Sequence, residues 1–426
     1  MVSLLAATAF AQAIALVVAP FLTRLTGPAA FGVFGVYLAA LGVLGAVTSW
    51  RFGLAVPLPD SDEEAIAVLI AGVFGSVAMA LVTALLLFVF GGWIARVVLD
   101  TPAIAPLLWL VPVGMLGVGL TDVVSGWCLR HRQFGPLVRS RISRSVGTSA
   151  CQLAGGFIVR GSPVGLVGGD VLGRLYSVWE MARTIARAER GRQLAPSVTM
   201  VRSAFSRYRA FALISTPSTF INAAGAWAPV ILLTVWWGPV AGGLYTLGQR
   251  VIGVPIGLLG DSAGQVYISE LAARARGSAP GMTGLFSKTA KGLLIIGIPA
   301  GVAMLLLAPI AFRIVFGPQW NEAGLMVRWQ AVALICQLVA IPLAQTLNLL
   351  GYQRQQFAWD VSRLFLTVLA FVWARFAGLT AVGSVAVYSV VTAATYLVLI
   401  ALGWRAVQQT AASGNPQLHT ALEIPQ

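Results

Sequence analysis

Charged residues are scarce in this sequence. Only 10% of its 426 residues are Asp, Glu, Lys or Arg, whereas a soluble domain carries about 25%. No polar block is long enough for an independent soluble domain, and long apolar runs recur from one end of the chain to the other. With 58% hydrophobic residues and a mean hydropathy of +0.86, the sequence predicts an all-α polytopic membrane protein.

Side chains that carry out chemistry are also few. The two histidines, His131 and His419, lie in a basic loop and a polar tail, and the three cysteines show neither pairing nor metal-ligand spacing. No carboxylates have the spacing of an acid–base pair, and the outer loops are only a few residues long. We therefore expect no enzyme and no cofactor, and leave coupling to protons or sodium open.

Apolar segments of about 20 residues span a bilayer, and the sequence contains about twelve of them. The N-terminus lacks a basic region and a cleavage site, so its first apolar run is expected to be a retained helix. The predicted spans are Leu4–Thr23, Ala30–Leu54, Ile66–Phe90, Ile104–Trp127, Ile142–Val159, Val164–Ile185, Tyr208–Val235, Val240–Leu259, Gly292–Phe312, Gly324–Leu350, Phe357–Phe376 and Thr380–Trp404.

Basic residues cluster in alternate loops. If Met1 is cytoplasmic, the inner side receives the arginines and lysines of 130–144, 187–209 and 274–291, together with Arg354. The other side receives single residues such as Arg96, Arg160, Arg313 and Arg375. This asymmetry predicts that both termini are cytoplasmic. The net charge of +14 then reflects loops facing anionic membrane lipids, and no nucleic-acid partner is expected.

The longest polar stretch divides the chain into two halves of six helices. We predict an N-terminal lobe at 1–186, a cytoplasmic linker at 187–207, a C-terminal lobe at 208–405 and a polar cytoplasmic tail at 406–426. Because six is even, both lobes enter and leave on the same side. A repeat between them must then be parallel, with its axis along the membrane normal.

Two short stretches support such a repeat. "TGPAAFGVF" before the second helix and "WGPVAGGLY" before the eighth align Gly27 with Gly238, and their Pro, Ala and second Gly positions are identical. Weaker matches follow in the right order after the third and ninth helices and before the fifth and eleventh. In this register Arg250 aligns with Ala39, Arg24 with Val235, Asp261 with Trp50 and Arg51 with Ser262.

Nearly the whole chain resembles the bacterial polysaccharide-transport, or O-antigen flippase, family of the multidrug/oligosaccharidyl-lipid/polysaccharide exporter (MOP) superfamily. The resemblance is carried by "AQAIALVVAPFLTRLTGPAAFGVFGVYLA" with "RFGLAVPLPDSDEEA", by "STPSTFINAAGAWAPVILL", and by "PQWNEAGLMVRWQAVALICQLVAIPLAQTLNLLGYQRQ". One departure stands out: after "RF", where relatives often have glutamate, this chain has Gly53. A role for an Arg-Glu pair at Arg51 is therefore in doubt.

The resemblance implies two MATE-like lobes around a central cavity in the bacterial inner membrane. Its implied substrate is an undecaprenyl-pyrophosphate-linked oligosaccharide, flipped by alternating access for O-antigen, capsule or exopolysaccharide synthesis. Candidate partners are this lipid-linked oligosaccharide, membrane lipids and other polysaccharide-assembly proteins.

Charges inside spans give the candidate substrate site, because a charge at the bilayer centre costs about 2.5–3.5 kcal/mol. Arg250 lies in mid-span, and Asp261 lies about three helical turns further along the same face. Guanidinium groups suit a diphosphate, so Arg250 is expected to bind substrate together with Arg24, Arg51 and Arg328. For the last three, extension of the side chain to lipid headgroups is the open alternative.

Three acids are candidates for ion coupling: Asp122, Asp170 and Asp261. Asp170 and Arg174 are four residues apart, which favours a structural ion pair. Asp122 has no such neighbour in sequence, so coupling and pairing with another helix both remain open. Asn222 is expected to bond either to a sugar or across helices.

Two other classes of function are alternatives to a polysaccharide flippase. A multidrug exporter of the same superfamily is the alternative transporter, although the mid-span arginine favours an anionic substrate. A lipid-linked peptidoglycan precursor would fit the same charges. A polysaccharide polymerase or ligase is the alternative from the enzyme class.

Overall fold

The computed structural model describes residues 2–98, 105–188, 196–209, 211–276 and 281–413. Within these ranges every regular element is a helix, and we number the α-helices in chain order. They are α1 Val2–Leu25, α2 Pro28–Gly45, α3 Phe52–Ala55, α4 Asp62–Trp93, α5 Ala105–Leu108, α6 Leu110–Arg130, α7 Phe134–Ile158, α8 Val164–Ala188, α9 Val198–Arg207, α10 Thr216–Arg276, α11 Met282–Val315, α12 Asn321–Leu349, α13 Gln353–Phe376 and α14 Ala381–Ser413.

The number of long helices agrees with the sequence prediction. Gly238 has φ 86 and ψ 168 and divides α10 into two helices, so the described residues contain twelve helices of at least 18 residues. Among these residues, nine candidate spans are both long and apolar enough to cross a membrane, and one of them, Phe211–Arg274, covers nearly all of the undivided α10. Helices α7 and α8 have 25 residues each but are more polar. The chain is an all-α multi-pass membrane protein.

The second helix ends earlier than predicted. The sequence predicts one span over Ala30–Leu54, but α2 stops at Gly45, and turns with i to i+3 hydrogen bonds follow up to α3. Within these turns Trp50 and Arg51 have φ angles of 50° and 62°. This left-handed conformation costs an ordinary residue about 1–2 kcal/mol. The prediction was wrong here because an apolar run continues through the break.

The two repeated stretches contact each other. Gly27 is the N-cap of α2, and Gly238 precedes the second part of α10, so each Gly-Pro pair starts a helix. A Cβ on Gly32 would overlap the carbonyl oxygen of Pro239, and a Cβ on Gly243 would overlap that of Pro28. These contacts are reciprocal, because the alignment matches Gly32 with Gly243 and Pro28 with Pro239. Identical residues in the repeat therefore hold two backbones together across a local two-fold relation.

Glycines also bring α7 and α8 together. Gly165, Gly169 and Gly173 recur every four residues on α8, which is the small-residue spacing of close membrane helix pairs. A Cβ at any of the three would lie within 2.6 Å of α7, against Gly155, Gln152 or Thr148. Buried polar side chains of α7 are therefore held directly against α8.

The chain forms two compact units, Met1–Thr246 and Leu247–Gln426. Residues 239–246 belong to the first unit, consistent with their packing on α2. The predicted division at 187–207 stays a prediction. Residues 189–195 of that linker lie outside the described residues, as do 414–426 of the predicted tail, whereas 198–207 form α9. In the second unit α11, α12 and α14 pack together around a core that includes Tyr267, Phe286 and Tyr396.

Candidate functional site

A buried polar cluster joins α2, α7 and α8 in the first unit. Asp170 accepts hydrogen bonds from the Tyr37 hydroxyl at 3.0 Å and from the Arg174 Nε at 2.5 Å. Asp170 and Tyr37 are only 5% and 2% exposed. The predicted pair of Asp170 with Arg174 is thus confirmed, while an ion-coupling role for Asp170 stays a prediction.

Arg144 adds a second arginine to this cluster. It is half-buried on α7 and close enough to Tyr37, Asp170 and Arg174 to interact electrostatically with all three. The sequence predicts Arg144 among the inner-side basic residues, but α7 begins at Phe134 and carries it ten residues into the helix. With two arginines and one carboxylate, the cluster has a net charge of +1.

A signal for Arg144 exists in the sequence. Ser140, Arg144, Thr148 and Gln152 recur every four residues and share one face of α7. A hydropathy window averages over both faces, so it scores this half of the helix as a polar loop. Buried oxygens of Thr148 and Gln152 lack a hydrogen-bond partner among the described residues, which marks the face as polar throughout its length.

A second polar site lies at the break after α2. The Ser49 hydroxyl donates a hydrogen bond of 2.6 Å to Oδ2 of Asp122 on α6. A Cβ on Gly53 would overlap this carboxylate and would lie 2.6 Å from its Cγ and 2.7 Å from the Asp122 carbonyl oxygen. The absence of a side chain at position 53 therefore makes room for Asp122.

Arg51 itself is half-buried at this break. Its Nε is buried and has no hydrogen-bond partner among the described residues. The protein thus leaves part of the guanidinium unsatisfied, which is costly for a buried donor unless water or a ligand completes it. The unsatisfied Nε supports Arg51 as a candidate for substrate binding, and that role stays a prediction.

Helix α9 packs beside the break. Its Ala204 is 2% exposed in a core that includes Phe52 and residues of α4. The Phe205 ring lies 5.7 Å from the Trp50 ring, in an edge-to-face arrangement, and 5.6 Å from the Phe52 ring. Arg207 at the end of α9 forms a 3.0 Å ion pair with Glu64 at the start of α4. At Tyr208, burial and then the Glu64 carboxylate raise the pKa of the phenol.

The remaining predicted residues lie elsewhere. Arg250 is half-buried on α10, next to Gln249, whose amide donates a 2.6 Å hydrogen bond to Gln330. Arg24, Arg328 and Asn222 are exposed, so headgroup contacts remain open for the two arginines. The side chain of Asp261 lies outside those described. Roles for all of these residues stay predictions.

Sequence reasoning missed a charged group in the second unit. Arg363 lies 4.0 Å from Asp360 on α13, donates to the Tyr396 hydroxyl at 3.1 Å and stacks over the Trp359 ring at 5.0 Å. Asp360 is 3% exposed. The three-residue spacing inside a predicted span was the available signal. The pair is electrically neutral by itself, which favours a structural role.

Solved structures share this fold. A lipid II flippase, MurJ, in an inward closed conformation matches with a TM-score of 0.74 at 12% identity, over 100% of this chain and 94% of the other. An inward-facing multidrug resistance MATE transporter of the MOP superfamily matches with 0.65 at 13% identity, over 96% of both chains. A MOP superfamily transporter from Pyrococcus furiosus gives 0.64 at 13%, over 97% and 95%. The protein is therefore a multi-pass membrane protein with the MOP transporter fold.

The family follows from the sequence. Residues 21–325 match the family model described as polysaccharide biosynthesis protein, which covers most of the chain. The chain belongs to this polysaccharide biosynthesis family, as the resemblance predicted. No curated protein matches the sequence. The structural neighbours are described as transporters and flippases rather than enzymes, in agreement with the expectation from the sequence.

Proposed function

We propose that this protein is a flippase for undecaprenyl-pyrophosphate-linked oligosaccharide repeat units in the bacterial inner membrane. It moves them to the outer leaflet by alternating access of two six-helix lobes, for O-antigen, capsule or exopolysaccharide synthesis, with both termini in the cytoplasm. The family and the MOP fold support a flippase-type transporter. The substrate class is our inference from charge.

The observation that carries the proposal is the net positive cluster of Arg144, Arg174, Asp170 and Tyr37. Asp170 neutralises only one of the two arginines, so this largely desolvated cluster keeps one positive charge unmatched among the described residues. A diphosphate or an acidic sugar supplies the missing negative charge, with a gain of at most about 4 kcal/mol for one pair at 4 Å and an effective dielectric of 20. A cation would be repelled. Arg51 and Arg250 are the further arginines expected to share the substrate charge.

The test is transport by purified protein in liposomes that contain a fluorescent lipid-linked oligosaccharide. Arg144→Gln removes the unmatched charge and is expected to slow flipping about ten-fold or more, the effect of losing one charge-assisted hydrogen bond. Arg96→Gln is the matched control, because Arg96 is exposed and, among the described residues, its Nε bonds to the Gly92 carbonyl of the preceding turn. Equal rates for Arg144→Gln and wild type would remove the basis for the substrate class.

Two other cargoes belong in the same assay. The multidrug resistance MATE neighbour makes a drug the alternative cargo. Uptake of a cationic dye without flipping of the oligosaccharide lipid would establish it. The MurJ neighbour and the net positive charge of the cluster make a lipid-linked peptidoglycan precursor the second alternative substrate. Faster flipping of that precursor than of the oligosaccharide lipid would replace the proposed substrate.

A further inference from the structure

The break after α2 has a conformation that its own sequence does not favour. Trp50 and Arg51 are both left-handed, although neither is glycine, and Phe52 donates to the Ser49 carbonyl at 3.0 Å across them. Such residues persist only where the surroundings hold them. Contacts with neighbouring helices must therefore hold the break in this conformation.

One side of the break is held by Asp122. Its carboxylate accepts the 2.6 Å hydrogen bond from Ser49, the residue just before the two left-handed ones. Ser49 is 3% exposed, so this bond is shielded from water. Gly53 lets the carboxylate approach, because any side chain there would overlap it. Helix α6 thus contacts the chain two residues before and two residues after Arg51.

The other side is held by aromatic packing. The Trp50 ring lies against Gly75 of α4, where a Cβ would be 3.0 Å from the ring. Phe205 of α9 packs against both Trp50 and Phe52. Because Ala204 is buried in a core with residues of α4, α9 packs on α4 and holds Phe205 against the break.

These contacts fix the backbone around Arg51, and the backbone in turn sets the direction of the Arg51 side chain. In a left-handed residue the side chain leaves the backbone in a direction that a continuous helix would not give it. The Arg51 Nε is buried without a hydrogen-bond partner among the described residues. The constraints thus act on the backbone of Arg51, while its buried Nε keeps an unused hydrogen-bond donor.

We propose that Ser49 and Asp122 are positioning residues: their hydrogen bond holds the left-handed break so that Arg51 presents its guanidinium to the anionic part of the substrate. This rests on the proposed function, in which Arg51 binds substrate. It assigns Asp122 a different task from ion coupling. Coupling requires a titrating carboxyl group, whereas positioning requires only an acceptor for the Ser49 hydroxyl.

Conservative variants separate the two tasks. Asp122→Asn keeps an oxygen that accepts from Ser49, so it should retain at least half of the wild-type flipping rate. Asp122→Ala and Ser49→Ala both remove the bond and should slow flipping about ten-fold, the effect of losing a hydrogen bond to a charged group. Thr48→Val is the matched control. Thr48 is also buried, but its hydroxyl bonds only to the Leu44 carbonyl in its own turn.

A double substitution tests whether the effect passes through Arg51. Ser49→Ala should cost nothing further in an Arg51→Ala background, because there is no guanidinium left to position. A second measurement does not depend on substrate: the rate at which phenylglyoxal modifies Arg51, followed by mass spectrometry. Ser49→Ala and Asp122→Ala should change this rate at least three-fold, and Thr48→Val should not.

The outcomes are distinct. An unchanged Arg51 modification rate in Ser49→Ala, or a loss in Asp122→Asn as large as in Asp122→Ala, overturns the positioning role. Normal flipping by Arg51→Ala overturns it as well. If the wild-type protein does not flip the oligosaccharide lipid, the proposed function fails, and the modification rates still decide whether Ser49 and Asp122 position Arg51.

Discussion

The reciprocal contact between the repeated stretches predicts a sharp difference between two glycines of one helix. Gly243 and Gly253 both lie in the second part of α10. A Cβ on Gly243 would overlap the Pro28 carbonyl oxygen and lie 2.7 Å from the Gly32 nitrogen, whereas a Cβ on Gly253 meets nothing within 4 Å. Substitution by alanine at both positions compares the same chemical change in two environments.

The magnitudes follow from two opposing effects. In a helix, Gly→Ala stabilises by about 0.5–1 kcal/mol because it reduces the entropy of the unfolded chain. At Gly243 the neighbours are backbone atoms, which cannot rotate away, so overpacking costs about 1–3 kcal/mol. We expect Gly253→Ala to raise the unfolding temperature in detergent slightly. Gly243→Ala should lower it, as should Gly32→Ala, whose Cβ would lie 2.6 Å from the Pro239 carbonyl carbon.

The double variant Gly32→Ala, Gly243→Ala sharpens the test. Once the first methyl group has pushed the two backbones apart, the second meets less resistance, so the combined loss should be smaller than the sum of the single losses. Equal stability of Gly243→Ala and Gly253→Ala would refute the contact. Full additivity of the two losses would refute its reciprocal character.

Arg250→Ala should abolish surface polysaccharide in cells while protein levels stay normal, and normal polysaccharide would exclude its substrate role. Asp170→Asn should destabilise the protein by about 3–5 kcal/mol by leaving Arg174 unpaired, and adding Arg174→Gln should recover much of the loss, as measured by thermal unfolding. Gly169→Val should separate α7 from α8 and lower the unfolding temperature, whereas Gly168→Val, in open space, should change it little. Reversing the exposed pair with Arg207→Glu should cost about 0.2–1 kcal/mol, and the added Glu64→Arg should restore it.

The sequence predicts those structural features that depend on residues close together in the chain. The number of long helices, the pair of Asp170 with Arg174 and the repeated Gly-Pro starts all follow from periodicity or short spacing. The position of Arg144 does not, because its acidic neighbour is on another helix and a hydropathy average treats every arginine as solvated. Asp122 shows the same limit, since its partner Ser49 is distant in sequence. The break at Trp50 and Arg51 has no Gly or Pro at its left-handed positions to announce it.

The register of the repeat places this break outside the shared scaffold. Trp50 and Arg51 align with Asp261 and Ser262, yet α10 continues as a helix through both of those positions. The Ser262 hydroxyl bonds to the Leu258 carbonyl four residues earlier, as in an uninterrupted helix. Where the halves agree in sequence, as at Pro28 and Gly32, they contact each other through their backbones. Since the aligned positions of the second half are helical, the symmetry of the repeat does not require the left-handed break, and a role in positioning Arg51 accounts for its strain.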